Sequence, residues 1–117
     1  MLKIHHYAME VFDINKVSNF YKDLLDFVED EKVEFPGEVI IFLRNAEARL
    51  ELIESKQESM LPGNVHLCFE TVNIRKVVER FLKAGVPLVE GPISLRNGWK
   101  SVFFIGPAGE LIEFLEP

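Results

Sequence analysis

The chain has 117 residues, of which 48% are apolar and 27% charged, and its formal net charge is −6. That is enough for one domain with a real core, while the acidic balance and scattered Lys and Arg exclude the basic block that nucleic acid or an anionic membrane surface requires. No apolar run approaches the roughly 20 residues needed to span a bilayer. The opening MLKIHHYAM lacks the long apolar stretch of a signal peptide, and Cys68 is the only cysteine, so no internal disulfide is possible and a cytoplasmic location is expected.

In chain order, KIHHYAMEV (3–11) alternates apolar and polar residues as a half-buried strand does. Asp13 is a good N-cap, and Ile14, Val17, Tyr21, Leu24 and Leu25 recur at helical spacing. Three strand-like runs follow, FVEDEKVEF (27–35), EVIIFLR (38–44) and ARLELIE (48–54), joined by the turn signals Pro36-Gly37 and Asn45-Ala46.

The second half repeats this order. NVHLCFETV (64–72) reads as a strand, Asn73 stands as an N-cap, and Ile74, Val77, Val78, Phe81 and Leu82 form a helical stripe that Gly85 and Pro87 end. VPLVEGPI (86–93), WKSVFFI (99–105) and ELIEFLE (110–116) complete the set, the last two joined by Gly106-Pro107-Ala108-Gly109. Each half therefore reads β-α-β-β-β, with modules over 1–58 and 63–117 of one domain. The fold class expected is α+β, two tandem modules forming an incomplete curved barrel with a cleft, a good place for a ligand.

The repeat places chemistry in matching positions. His6 and His66 stand on the first strand of each half, and Glu51 and Glu113 stand centrally on the last, 45 and 47 positions later. A carboxylate centred in an apolar strand costs several kcal/mol if it is dry and unpaired, so each needs solvent, a partner or the cleft. Two imidazoles and two carboxylates make a set suited to a divalent metal such as Zn, Ni, Co, Mn or Fe, with room for water or substrate. Strand parity puts His5 on the opposite face from His6. It puts Cys68 on the face of His66 and Glu70, where a small buried wall residue is expected. The stretch VEDEKVE reads as a solvated hairpin face.

These residues carry a resemblance over the whole chain. HHYAMEVFDINKVSNFYKDLLDF, HLCFETVNI and GPAGELIEF resemble the opening strand and helix, second His strand and closing ligand strand of the vicinal oxygen chelate superfamily. Its members include glyoxalases, bleomycin-resistance proteins, fosfomycin-resistance enzymes and extradiol dioxygenases. His6, Glu51, His66 and Glu113 match the metal set of glyoxalase I one for one. The resemblance implies a metal-dependent lyase or isomerase on a small oxygen-rich substrate, with Glu113 the first candidate base and Glu51 the second. Trp99, Ser101 and Phe103 are similar to family positions that line the cavity, and a homodimer is implied. Two alternatives come with the family: a metal-free binding protein that sequesters a small molecule, and an Fe(II) extradiol-type dioxygenase. Glu10 replaces the Arg of glutathione-dependent glyoxalase I, and Ser55 its Asn, which turns the expectation away from a glutathione adduct. The fosfomycin-resistance enzymes have His where Glu51 stands, and Asp26 replaces the family's helix-ending Gly.

Overall fold

The computed structural model describes residues 4–35, 38–56 and 65–117. Lys3, Asn64, the Pro36-Gly37 turn and the boundary beyond Lys56 lie outside those residues. The chain divides into two compact units, Met1–Met60 and Leu61–Pro117.

In the first module, β1 (Tyr7–Val11), α1 (Ile14–Leu24), β2 (Val28–Phe35), β3 (Glu38–Asn45) and β4 (Ala48–Glu54) follow one another. The strands form an open four-stranded sheet ordered β1-β4-β3-β2, with β1 parallel to β4 and the other pairs antiparallel. The parallel pair is what the crossing through α1 and two hairpin strands permits, since parallel neighbours cannot be joined by a tight turn. The second module repeats the plan with β5 (Leu67–Glu70), α2 (Ile74–Lys83), β6 (Leu88–Ser94), β7 (Lys100–Ile105) and β8 (Leu111–Glu116). Its order is β5-β8-β7-β6, with β5 parallel to β8.

Both helices start where the caps place them. Asp13 Oδ1 accepts from Lys16 N at 3.1 Å, and Asn73 Oδ1 accepts from Lys76 N at 3.2 Å. In the first module, Ile14, Val17 and Tyr21 of α1 are buried, as are Leu43 of β3 and Leu50 and Leu52 of β4. In the second, Phe81 of α2 packs on Phe104 and Phe114, with ring centroids 5.0 and 4.9 Å away. Asp26 does take the left-handed conformation the family gives to Gly, at φ 58°. The backbone bonds from Leu25 N and Phe27 N to Tyr21 O, at 3.1 and 3.2 Å, hold it there. Asn45 Nδ2 donates to Leu25 O at 2.8 Å, tying the β3–β4 turn to the same helix end.

Two strands are shorter than the sequence pattern suggests. Pairing of β1 with β4 begins at Tyr7↔Leu50, and pairing of β5 with β8 begins at Leu67↔Ile112. His6 and His66 therefore sit just ahead of their strands. Trp99 also precedes β7, because the Asn97-Gly98 turn claims it: Asn97 Oδ1 accepts from Trp99 N at 3.0 Å, and Trp99 O accepts from Leu95 N at 2.7 Å.

Candidate functional site

Parallel pairing of first and last strands decides where the titratable groups meet. In the first module, Ala8 lies opposite Glu51, and Phe42 of β3 lies opposite Glu51 on the other side. His6, two residues before Ala8, reaches the same place: its Nε2 is 3.5 Å from Glu51 Oε1. The His6 ring meets the Phe42 ring in a T-shaped contact, centroids 5.4 Å apart. In the second module, Cys68 and Phe103 flank Glu113 in the same way. His66 Nε2 is 2.9 Å from Glu113 Oε1, and the His66 and Phe103 rings are 5.9 Å apart, also T-shaped. Each module thus builds imidazole, carboxylate and phenyl ring into one cluster.

The separations suit metal ligation. Two ligands bonded at about 2.1 Å to one ion lie about 3.0 Å apart at a right angle and about 3.4 Å apart at a tetrahedral angle. The two observed separations, 2.9 and 3.5 Å, lie just outside the two ends of that range, the shorter one being also an ordinary hydrogen-bond length. Among the described residues, no group of three or more His, Cys, Asp or Glu is gathered as a metal site, so each module offers a two-ligand half.

The carboxylates differ in their surroundings. Ser101 is buried, and its Oγ donates to Glu113 Oε2 at 2.6 Å. Ser101 therefore reaches any ligand through that carboxylate. Burial alone would raise the Glu113 carboxyl, but hydrogen bonds from Ser101, His66 and Cys68, with the His66 charge, outweigh it and hold the group below its ordinary value. The same contact works the other way on Cys68. Partial burial of the sulfur, then the Glu113 charge and hydrogen bond, push its thiol up to about 11. Such a thiol is a poor nucleophile at neutral pH. The residue as a whole is exposed rather than a buried wall.

His5 does not obey strand parity. It lies outside β1, and its ring turns to the His6 side, with the two Nδ1 atoms 2.8 Å apart. Phe42 is a site residue the sequence pattern did not single out. Its signal was available, since it occupies in EVIIFLR the place that Phe103 holds in WKSVFFI. Glu10 and Glu70 are both exposed. Trp99 is 42% exposed. A cavity of about 620 Å³ opens beside the first turns of α2, lined by Val72, Arg75, Ile93, Lys100 and Glu116 among others. It includes none of His66, Cys68, Ser101, Phe103 or Glu113, and so lies apart from this chemistry.

A profile of the glyoxalase/bleomycin resistance protein/dioxygenase superfamily matches residues 3–114. The chain belongs to that superfamily. The virulence protein STM3117 of Salmonella typhimurium is 33% identical to it over 121 residues, covering 95% of this chain and 81% of that protein. The mitochondrial methylmalonyl-CoA epimerase of Mus musculus is 26% identical, covering 95% and 71% respectively. A glyoxalase family protein from Enterococcus faecalis has the same fold, with a TM-score of 0.83, 24% identity and 97% of each chain covered. The superfamily includes metalloenzymes acting on small molecules. No helix among the described residues is long and apolar enough to cross a membrane.

Proposed function

We propose that this superfamily member is a metal-dependent, glyoxalase-like lyase or isomerase acting on a small oxygen-rich substrate. In this reading His6, Glu51, His66 and Glu113 together hold one divalent ion. The observation that carries it is that each module brings one imidazole and one carboxylate together, 3.5 and 2.9 Å apart, close to the spacing of two ligands on one ion. When bound, such an ion supplies Lewis-acid stabilisation to oxygen charge that develops as a neighbouring C–H loses its proton.

The chain's own groups divide the remaining work. Glu113 is fixed by Ser101 and His66, which hold its carboxyl below the ordinary value, and this suits a ligand that stays in place. Glu51 has Ala8 opposite it and His6 at 3.5 Å, and is freer to swing out and take a proton from carbon beside a carbonyl. Glu51 is therefore placed ahead of Glu113 as the base, the reverse of the order the resemblance implies. Phe42 and Phe103 pack edge-on against the two imidazoles, and the exposed Trp99 and Cys68 are assigned to contact with an incoming ligand. Likeness to an epimerase supports the same class of step, since epimerisation removes and returns a proton at one carbon. A homodimer and a cytoplasmic setting belong to the reading by resemblance.

The test is metal content after purification without chelator, repeated on His66→Ala. The native protein is expected to hold about one divalent ion per four-ligand set and the variant to lose it. A native protein that stays empty when offered Zn, Ni, Co and Mn overturns the proposal and leaves small-molecule sequestration in its place.

A further inference from the structure

The first module carries a run of polar side chains beyond the His6–Glu51 pair. Arg49 Nε donates to Asp30 Oδ2 at 2.9 Å, and Arg49 Nη1 lies 2.7 Å from His5 Nε2. His5 Nδ1 lies 2.8 Å from His6 Nδ1, and His6 Nε2 faces Glu51 Oε1 at 3.5 Å. Arg44 Nε, 3.8 Å from Asp30 Oδ1, adds a second cation to the outer end. In the second module Val65 and Leu111 stand in the places of His5 and Arg49 and carry no polar group.

A guanidinium donates at every nitrogen and accepts at none, which gives the run a direction. His5 Nε2 must accept from Arg49, so the His5 proton resides on Nδ1. That proton points at His6 Nδ1, which must accept in turn. His6 then carries its own proton on Nε2, the nitrogen turned towards Glu51. An imidazole can bind a cation only through a nitrogen that bears no proton. Ligation through His6 Nε2 would move the proton to Nδ1, where it would confront the His5 proton across 2.8 Å. His5 cannot yield by taking the other tautomer, because Arg49 already donates to its second nitrogen.

We propose that Arg49 and His5 are positioning residues that fix the His6 tautomer with its proton on Nε2, so that a cation gains this nitrogen only when the Arg49–His5 contact opens. The proposal rests on the reading of His6 as a ligand. Once Arg49 has moved, His5 can carry its proton on Nε2 and accept from His6 Nδ1, the outer partner that metal-bound histidines require. The device sits in one half of the site only, because His66 has no equivalent of His5 beside it.

The experiment has two readouts. In metal-free, ¹⁵N-labelled protein, ring nitrogen shifts are expected to show His6 protonated on Nε2. Arg49→Met should let His6 populate both tautomers, and Arg49→Lys, which keeps a donor, should restore the native pattern. A native His6 protonated on Nδ1, or an Arg49→Met spectrum identical to the native one, overturns the proposal. In Zn²⁺ titration calorimetry, Arg49→Met, which frees His5 to become that outer partner, is expected to bind about tenfold more tightly than the native protein, and Arg49→Lys like it. Weaker binding by Arg49→Met, the result of a merely structural role, also overturns it. A native protein that takes no Zn²⁺ defeats the metal reading, while the ring shifts still decide what Arg49 does to His6.

Discussion

The two modules anchor opposite members of the same pair. In the second, the carboxylate is fixed: Glu113 has Ser101 and His66 on its oxygens at 2.6 and 2.9 Å. In the first, the imidazole is fixed, through His5, Arg49 and Asp30, while the Glu51 carboxylate has, among the described residues, the long contact to His6. The substitutions behind this difference are few. Ala8 stands where the second module has Cys68, Ile40 where it has Ser101, and the His5 and Arg49 positions are Val65 and Leu111. Two copies of one backbone plan therefore give one stiff acid and one stiff imidazole. Repetition of a fold does not imply repetition of the forces at its site.

The comparison extends to the cores, and that is where the largest effect is expected. The first module packs mainly aliphatic side chains around Tyr21, whereas the second depends on the rings of Phe81, Phe104 and Phe114. Phe104→Ala, at a fully buried position, should cost about 3–5 kcal/mol of unfolding free energy in a denaturant titration. A loss below about 1 kcal/mol would show that the ring cluster is not what holds the second module together. Ser101→Ala comes next. Removing a donor to a charged acceptor should lower stability at neutral pH by about 1–2 kcal/mol, with less of a difference in acid, where the carboxylate is no longer charged. An equal loss at all pH values would point to packing instead.

The smallest effect is the pH dependence of Glu113 itself. Its folded carboxyl is held below the ordinary value of 4.5, so its contribution to stability is full above about pH 4.5. It is lost as pH falls through the folded value. Glu113→Gln should flatten that acid limb of the stability curve. An unchanged limb would mean that the Ser101 and His66 bonds do not favour the charged form.

Local signals made much of this architecture legible. Asp13 and Asn73 announced both helices because a cap acts on the amide three residues away, within reach of sequence reading. The His–Glu pairs were legible because the repeated order of elements puts first and last strands side by side. The strand starts were harder to read. Where β1 begins depends on its pairing with β4, a contact between distant segments, and that pairing releases His5 from the alternation its neighbours obey. Cys68 was misread as buried for a related reason: a pattern of alternation gives the face a residue shares but not whether that face is covered. Phe42 escaped notice because an apolar residue in an apolar strand draws no attention until its cross-strand partner is known.

The parallel β1–β4 and β5–β8 pairs also impose an order of assembly. His6 and Glu51 both precede His66 in the chain, and Glu113 follows His66 by 47 positions. Synthesis therefore completes one His–Glu pair before the other has its first member.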